Sequence, residues 1–279
     1  MAHNDKRGAQ MTEIAHYPPG VPCWVDTLQP DPEAAMAFYS GLMGWEFAGP
    51  GAMPGDPPGG YFVARLRGRD VAGVGSLPAD GAAGAPAWNT YVSVASVDDV
   101  ARRVAAAGGE VIAGPFDAPP AGRMAAIRDP AGAVVCVWEP GERQGAQLVN
   151  EPSAWAMSAL QTPDPGGAKA FYSEVFGWTD QPFAIGDTEA SLWRLPGYVG
   201  GTPQQPVPRD VVAAMIPQDV AQAHWSVDFW IADADGAAAK AAEAGGSVVL
   251  APHDRPGFRS AVLADPAGAV FSVSQLVGG

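Results

Sequence analysis

The chain has 279 residues, with 16 Lys and Arg against 30 Asp and Glu, and a formal charge of −14 at pH 7. So few and scattered basic residues exclude the Lys/Arg face that grips nucleic acid, and the acidity argues against an anionic membrane surface. No apolar run of about 18 residues occurs and the segment before Tyr17 lacks a signal-peptide core, so a soluble cytoplasmic protein is expected.

In chain order, residues 1–17 read as a flexible N-terminus. Val21 to Leu28 is an apolar run with β-branched members that ends at Pro30, as a strand does. Asp31 offers a helix cap and Pro32 a first helical position. Ala35, Phe38, Tyr39 and Leu42 then recur at helical spacing, and Gly44 is the stop. Tyr61 to Leu66 and Trp88 to Val94 read as strands, and Val97 to Ala107 as a helix ended by Gly108-Gly109. Arg123 to Trp138 reads as a hairpin about Asp129-Pro130-Ala131-Gly132. Residues 140–152 hold charge, Gly and Pro without apolar periodicity and read as a linker. The same pattern then returns, with strands at Ser191 to Leu195 and Trp225 to Ile231, a helix at Ala234 to Ala244 and a hairpin over Arg259 to Gln275. Cys23 and Cys136 lie in apolar strands, far from any redox or zinc spacing.

The return is a duplication. Asp31-Pro32 through Phe38-Tyr39 and Gly44-Trp45 matches Asp164-Pro165 through Phe171-Tyr172 and Gly177-Trp178. Trp88 matches Trp225, and Asp129-Pro130-Ala131-Gly132 matches Asp265-Pro266-Ala267-Gly268. Two modules, 18–139 and 153–279, are expected, each α+β and built of two βαβββ units.

The strand leading into the Asp-led helix with Phe-Tyr and Gly-Trp, the helix ended by Gly-Gly, and the Asp-Pro-x-Gly turn before a closing strand resemble the vicinal oxygen chelate superfamily. This is the group of glyoxalases, bleomycin-resistance proteins and extradiol dioxygenases. In tandem form the chain is similar to the hydroxylase-like proteins of actinobacterial secondary metabolism. The resemblance covers nearly all of residues 18–277 and implies that each module curls its sheet into a half-barrel cup. It also implies a divalent metal held by His or Gln on the first strand, His on the middle strand and Glu on the last. Those positions fall at Trp24, Asn89 and Cys136 in the first copy and at Met157, Ser226 and Ser272 in the second. None is His or a carboxylate. His3 and His16 precede the fold, His253 is placed in a loop, and only His224 neighbours a relevant strand. No metal and no cofactor is therefore expected.

The inward positions define the candidate site. The first strands give Pro22, Trp24 and Asp26, and Trp155, Met157 and Ala159. The middle strands give Asn89, Tyr91 and Ser93, and Ser226, Asp228 and Trp230. The last strands give Val134, Cys136 and Trp138, and Val270, Ser272 and Ser274. Rings, a thioether and sparse polar groups suit a planar aromatic ligand. Trp24, Asn89, Tyr91, Trp155, Met157, Ser226, Trp230 and Ser272 are the candidate binding residues. A carboxylate inside an apolar strand is expensive unless paired or used, which makes Asp228 and Asp26 the candidate acids or bases, with Asp228 preferred.

Arg194, Tyr198 and Gly197 to Pro208 are read as a solvent loop rather than a lid. His224 is read as a surface residue, and Asp129-Pro130 and Asp265-Pro266 as turn formers without chemistry. Phe38, Tyr39, Phe171 and Tyr172 are read as helix-face packing. Two functions are expected. One is a metal-free enzyme of antibiotic biosynthesis that dehydrates, cyclises, ketalises or isomerises an aromatic polyketide. The other is a protein that sequesters an aromatic antibiotic or assists an oxygenase. A tandem chain can pair its own halves, so a monomer suffices and a weak homodimer stays open.

Overall fold

The computed structural model describes residues 16–53, 59–78, 84–185, 188–201 and 208–277. Of the loop read at 197–208, residues 202–207 lie outside the described residues. The first module runs β1 (Pro22–Gln29), α1 (Pro32–Met43), β2 (Glu46–Met53), β3 (Gly59–Leu66), β4 (Arg69–Ser76), β5 (Trp88–Ser93), α2 (Val97–Ala106), β6 (Glu110–Ala118), β7 (Gly122–Arg128) and β8 (Val134–Pro140). The second repeats it as β9 (Trp155–Thr162), α3 (Pro165–Phe176), β10 (Thr179–Ile185), β11 (Thr188–Arg194), β12 (Val211–Pro217), β13 (His224–Trp230), α4 (Ala234–Glu243), β14 (Ser247–Arg255), β15 (Phe258–Ala264) and β16 (Val270–Leu276).

Each module is one curled eight-stranded sheet, ordered β2-β3-β4-β1-β5-β8-β7-β6 and β10-β11-β12-β9-β13-β16-β15-β14. Within a module β1 pairs parallel with β4 and β5 parallel with β8, while β1 and β5 meet antiparallel. The sheet is therefore two βαβββ units joined at their first strands, with the floor of the cup on the four central strands.

Local chemistry sets the helices. Asp31 and Asp164 cap α1 and α3 by accepting from the amides of Ala34 and Gly167, each followed by proline at the first turn. Gly44 and Gly177 close those helices in the left-handed region, at φ of 73° and 74°, where a Cβ is strained. Ser96 and Asp233 cap α2 and α4.

The backs of the two sheets and the helices form one shared core. Trp45 and Trp88 pack edge-on against Phe229 of the other module, with centroids 5.5 and 4.9 Å apart. Thr90 and Ser158 share a hydrogen bond of 2.7 Å across the junction.

Paired polar chains tie the halves together. In one, Trp88 donates to the Tyr39 hydroxyl (3.0 Å), which donates to Asp265 of the second module (2.9 Å). In the other, Trp225 donates to Tyr172 (2.9 Å), which donates to Asp129 of the first (3.1 Å). The other oxygen of each aspartate accepts two amides of its own turn. Trp45 and Trp178 each donate to a backbone carbonyl of the opposite module, at Ser153 and Gly20. The Asp-Pro-x-Gly turns thus do more than turn, because their carboxylates fasten the module interface. Tyr17, read as part of a flexible terminus, is buried with its hydroxyl on the Ala146 carbonyl. Cys23 and Cys136 are buried free thiols. No helix among the described residues is long and apolar enough to cross a membrane.

Replacing Tyr172 by Phe should strip Asp129 of its only donor from the other module among the described residues and cost about 1–3 kcal/mol. Urea denaturation should show a smaller loss for Tyr39→Phe, because the Gln29 amide still donates to the same Asp265 oxygen at 2.7 Å. It should also show near-additive losses in the double variant, since the two chains share no partner.

Candidate functional site

The cup faces follow from register, because directly opposed residues share a face. In the first module Trp24 opposes Tyr91, Asp26 opposes Asn89, and Tyr91 opposes Cys136. In the second Met157 and Ser272 flank Asp228, and Ala159 opposes Ser226. A bulge on the first strand of each module breaks strict alternation, so that Pro22 pairs with Val92 and Trp155 with Phe229. Trp155, expected in the cup, therefore faces the shared core, where its indole donates to Ser158 (3.2 Å). On β13, which is regular, Trp230 stays on the face of Asp228 and opposes Ser274. His224 also shares that face, exposed at the rim.

The first cup is filled by its own side chains. Asp26, 1% exposed, accepts from Tyr61 (2.9 Å) and Tyr91 (2.7 Å) on one oxygen and from Asn89 (3.0 Å) on the other. Trp24 donates to the Tyr61 hydroxyl at 2.8 Å. Burial raises the Asp26 carboxyl above its usual range while the three donors pull it back, and burial keeps both phenols protonated. Tyr61 reaches Asp26 across β4 at Gly73, where a Cβ would lie 2.0 Å from the phenol oxygen.

The linker straps this cup. Its chain bonds Ala121 at the β6–β7 hairpin, then Cys23 on β1, then Asp70 on β4. The Arg143 guanidinium lies 5.9 Å from the Trp24 ring centre and pairs with Asp70 at 2.6 Å, and Trp138 donates to the Arg143 carbonyl.

The second cup has the opposite character. Matching strand positions replace Tyr91 by Asp228, Cys136 by Ser272, Trp138 by Ser274, Met124 by Ser260 and Asn89 by Ser226. Ala214 stands where Gly73 does, and Ala190 stands where Tyr61 does, so no phenol crosses the floor. Asp228 is half-buried and among the described residues accepts one hydrogen bond, from Ser274 at 2.8 Å, and Ser274 in turn meets Ser260 at 3.0 Å. With the Ser274 proton committed to the carboxylate, Ser260 is the donor in that second contact. Burial drives the Asp228 carboxyl up to about 7, against the opposing pull of the Ser274 hydroxyl and the positive charge of Arg255.

The family description "Glyoxalase/Bleomycin resistance protein/Dioxygenase superfamily" matches residues 24–137, and "Glyoxalase-like domain" matches residues 144–274. A putative glyoxylase of Mycobacterium tuberculosis, CFP32, is 40% identical over 94% of this chain and 97% of its own. The anthracycline biosynthesis protein DnrV of Streptomyces peucetius is 34% identical over 94% of this chain and 96% of its own. The chain belongs to the glyoxalase/bleomycin-resistance/dioxygenase superfamily. Among solved structures, the Mn(II)-bound glyoxalase of Novosphingobium aromaticivorans shares the superfamily fold at TM-score 0.61 and 16% identity, covering 92% of this chain and 82% of that one. The 2,3-dioxygenase LapB of Pseudomonas does so at TM-score 0.60 and 14% identity, covering 96% and 94%.

The superfamily's metal positions do not fit a divalent ion here. The Trp24 indole and the Asn89 amide are spent as donors, and burial pushes the Cys136 thiol up so that it stays protonated. Met157, Ser226 and Ser272 offer a thioether and two hydroxyls. Among the described residues no three His, Cys, Asp or Glu side chains cluster to hold a metal.

Of the residues singled out in the sequence, Trp24, Asp26, Asn89 and Tyr91 meet in the first cup. Met157, Ser226, Asp228, Trp230 and Ser272 share the face of the second. Tyr61, Ser260 and Gly73 were missed as site residues, although the exchange of Tyr61 and Gly73 for two alanines in the second copy is a visible signal. His253, placed in a loop by its sequence, lies within β14.

Gly73→Ala should push Tyr61 off Asp26 and destabilise the protein by roughly 1–3 kcal/mol in urea denaturation, through overpacking and lost hydrogen bonds. Combining it with Tyr61→Ala, which clears the clash, should recover part of that loss.

Proposed function

We propose that the second cup is the working site and carries out proton-transfer chemistry on a planar aromatic substrate without a metal, with Asp228 as general acid or base. One observation carries this reading. Across matched positions the second cup exchanges rings and a thiol for hydroxyls around a single half-buried carboxyl that titrates at about 7. A group poised at the working pH can both give and take a proton.

Asp26 is less suited to the role, since both its oxygens already accept hydrogen bonds and the linker covers its cup. Its part is to hold Tyr61 and Tyr91 in place.

The substrate class rests on kinship. DnrV and its counterpart DauV of Streptomyces sp., 34% and 33% identical, are anthracycline biosynthesis proteins. An aromatic polyketide has the shape for a cup with Trp230 and Met157 on its face and the oxygens for Ser226 and Ser272 to orient. In a dehydration, protonated Asp228 would protonate a departing hydroxyl, and its carboxylate would then take the proton α to a ring carbonyl. Water leaves, a double bond forms and the acid is regenerated. In an enolisation or isomerisation the same carboxylate removes one proton and returns it elsewhere.

The sign of the pH effect follows from the raised carboxyl. Between the ordinary Asp value of 3.8 and about 7 the folded chain holds a proton that the unfolded chain releases, so this group erodes stability as pH rises through that window. Asp228→Asn should therefore stabilise the protein at alkaline pH, with the gain fading below the lower value. Incubation with anthraquinone and tetracenone polyketides, followed by mass and isomer analysis, should show conversion by wild type with an inflection near pH 7. Asp228→Asn should lower turnover by about 10²-fold or more and lose that inflection. A ligand bound tightly yet returned unchanged would make this a sequestering protein, and full turnover by Asp228→Asn would remove Asp228 from the chemistry.

A further inference from the structure

We propose that the second cup selects an aromatic ligand bearing an anionic oxygen, a carboxylate or an ionised phenol or enol, with the Arg255 guanidinium as its counter-ion. This rests on the reading of the second cup as the working site and specifies what enters it.

The placement comes from register. Ser260 is fixed on the cup face by its bond to Ser274, which bonds Asp228. His253 opposes Ser260, and Arg255 opposes Phe258, two residues further along each strand. Opposed and alternate residues share a face, so Arg255 and His253 lie on the face of Asp228, at the hairpin end of the cup. Arg255 is exposed and has no hydrogen bond or ion pair among the described residues, in a chain with 30 acidic residues against 16 basic. Its neighbour Arg259, by contrast, is held by both Asp235 and Asp254.

The first module has no cation there. Ala118 and Phe116 stand at the positions of Arg255 and His253. At this strand position only the second module carries a guanidinium, whereas Arg143 at the first cup comes from the linker and is paired with Asp70.

Asp228 is not the committed counter-ion of Arg255. The two interact only through their fields, and the aspartate's hydrogen bond comes from Ser274. An arginine with a planar fork of donors, unpaired beside an apolar and hydroxyl-lined face, matches a ligand that ends in a carboxylate or an ionised ring oxygen.

The test uses the full chain and isothermal titration calorimetry at constant pH, with an anthraquinone carboxylate and the matching neutral carboxamide as probes. Wild type should bind the carboxylate on the order of tenfold tighter than the amide. Arg255→Gln should lose that preference while binding the amide as wild type does, and Arg255→Lys should keep part of it. Raised salt should weaken only the carboxylate. Equal affinity of wild type for both probes, or an undiminished preference in Arg255→Gln, overturns the proposal while leaving the aromatic site standing. Failure of both probes to bind wild type overturns the aromatic site and this proposal with it.

Discussion

Two buried carboxylates, Asp129 and Asp265, govern how this chain can be assembled. Each sits in a tight turn where its own module supplies backbone amides to one oxygen, and each takes a tyrosine of the opposite module on the other. Burying such a group without a full set of donors costs several kcal/mol, so neither module satisfies its turn alone. The tyrosines are positioned in turn by Trp88 and Trp225 and stacked on Trp45 and Trp178. The sheets must therefore meet back to back, which commits one face of every central strand to the interface and leaves the other face to the cup.

That division explains how the copies diverged without losing the fold. On β1 the alternating residues Val25 and Thr27 belong to the interior while Trp24 and Asp26 belong to the cup. A substitution on the cup face leaves the interface chains untouched. One cup could thus accumulate rings and phenols while the other accumulated serines around an aspartate.

The same division sets what the sequence makes legible. The Asp-Pro caps, the Phe-Tyr and Gly-Trp pairs and the Asp-Pro-x-Gly turns serve the interface that both modules need, so they recur and betray the duplication. The strands β2, β4, β6, β10, β12 and β14 were hidden, because proline in EFAGPGAM, EVIAGPFDA, TDQPFAI and SVVLAPHDR and glycine in RDVAGVGS interrupt the strand pattern, and VVAAMIP shows no alternation. Strict alternation placed Trp155 in the cup, and only the bulge seen in the pairing moves it to the core. Alternation did put Asp26 and Asp228 on cup faces. It could not tell that one is saturated and covered while the other has an oxygen to spare, since that depends on Tyr61, Arg143 and Ser274, which come from distant strands or the linker.

Connectivity breaks the symmetry between the cups. After β8 the chain has to reach the start of β9, and its path runs from the β6–β7 hairpin past β1 to β4 of the first sheet. Arg143 on Trp24 and Asp70, together with buried Ala146 and Leu148, makes that crossing a packed strap. Its far end delivers the Ser153 carbonyl to Trp45 of the first module. The segment that joins the modules thus also closes one of them. A ligand entering the first cup would have to displace both strap and Tyr61, whereas in the second Ala190 and Ala214 stand at the positions of Tyr61 and Gly73. The joining segment thus packs onto one sheet, and the matched positions of the other carry serines around an aspartate.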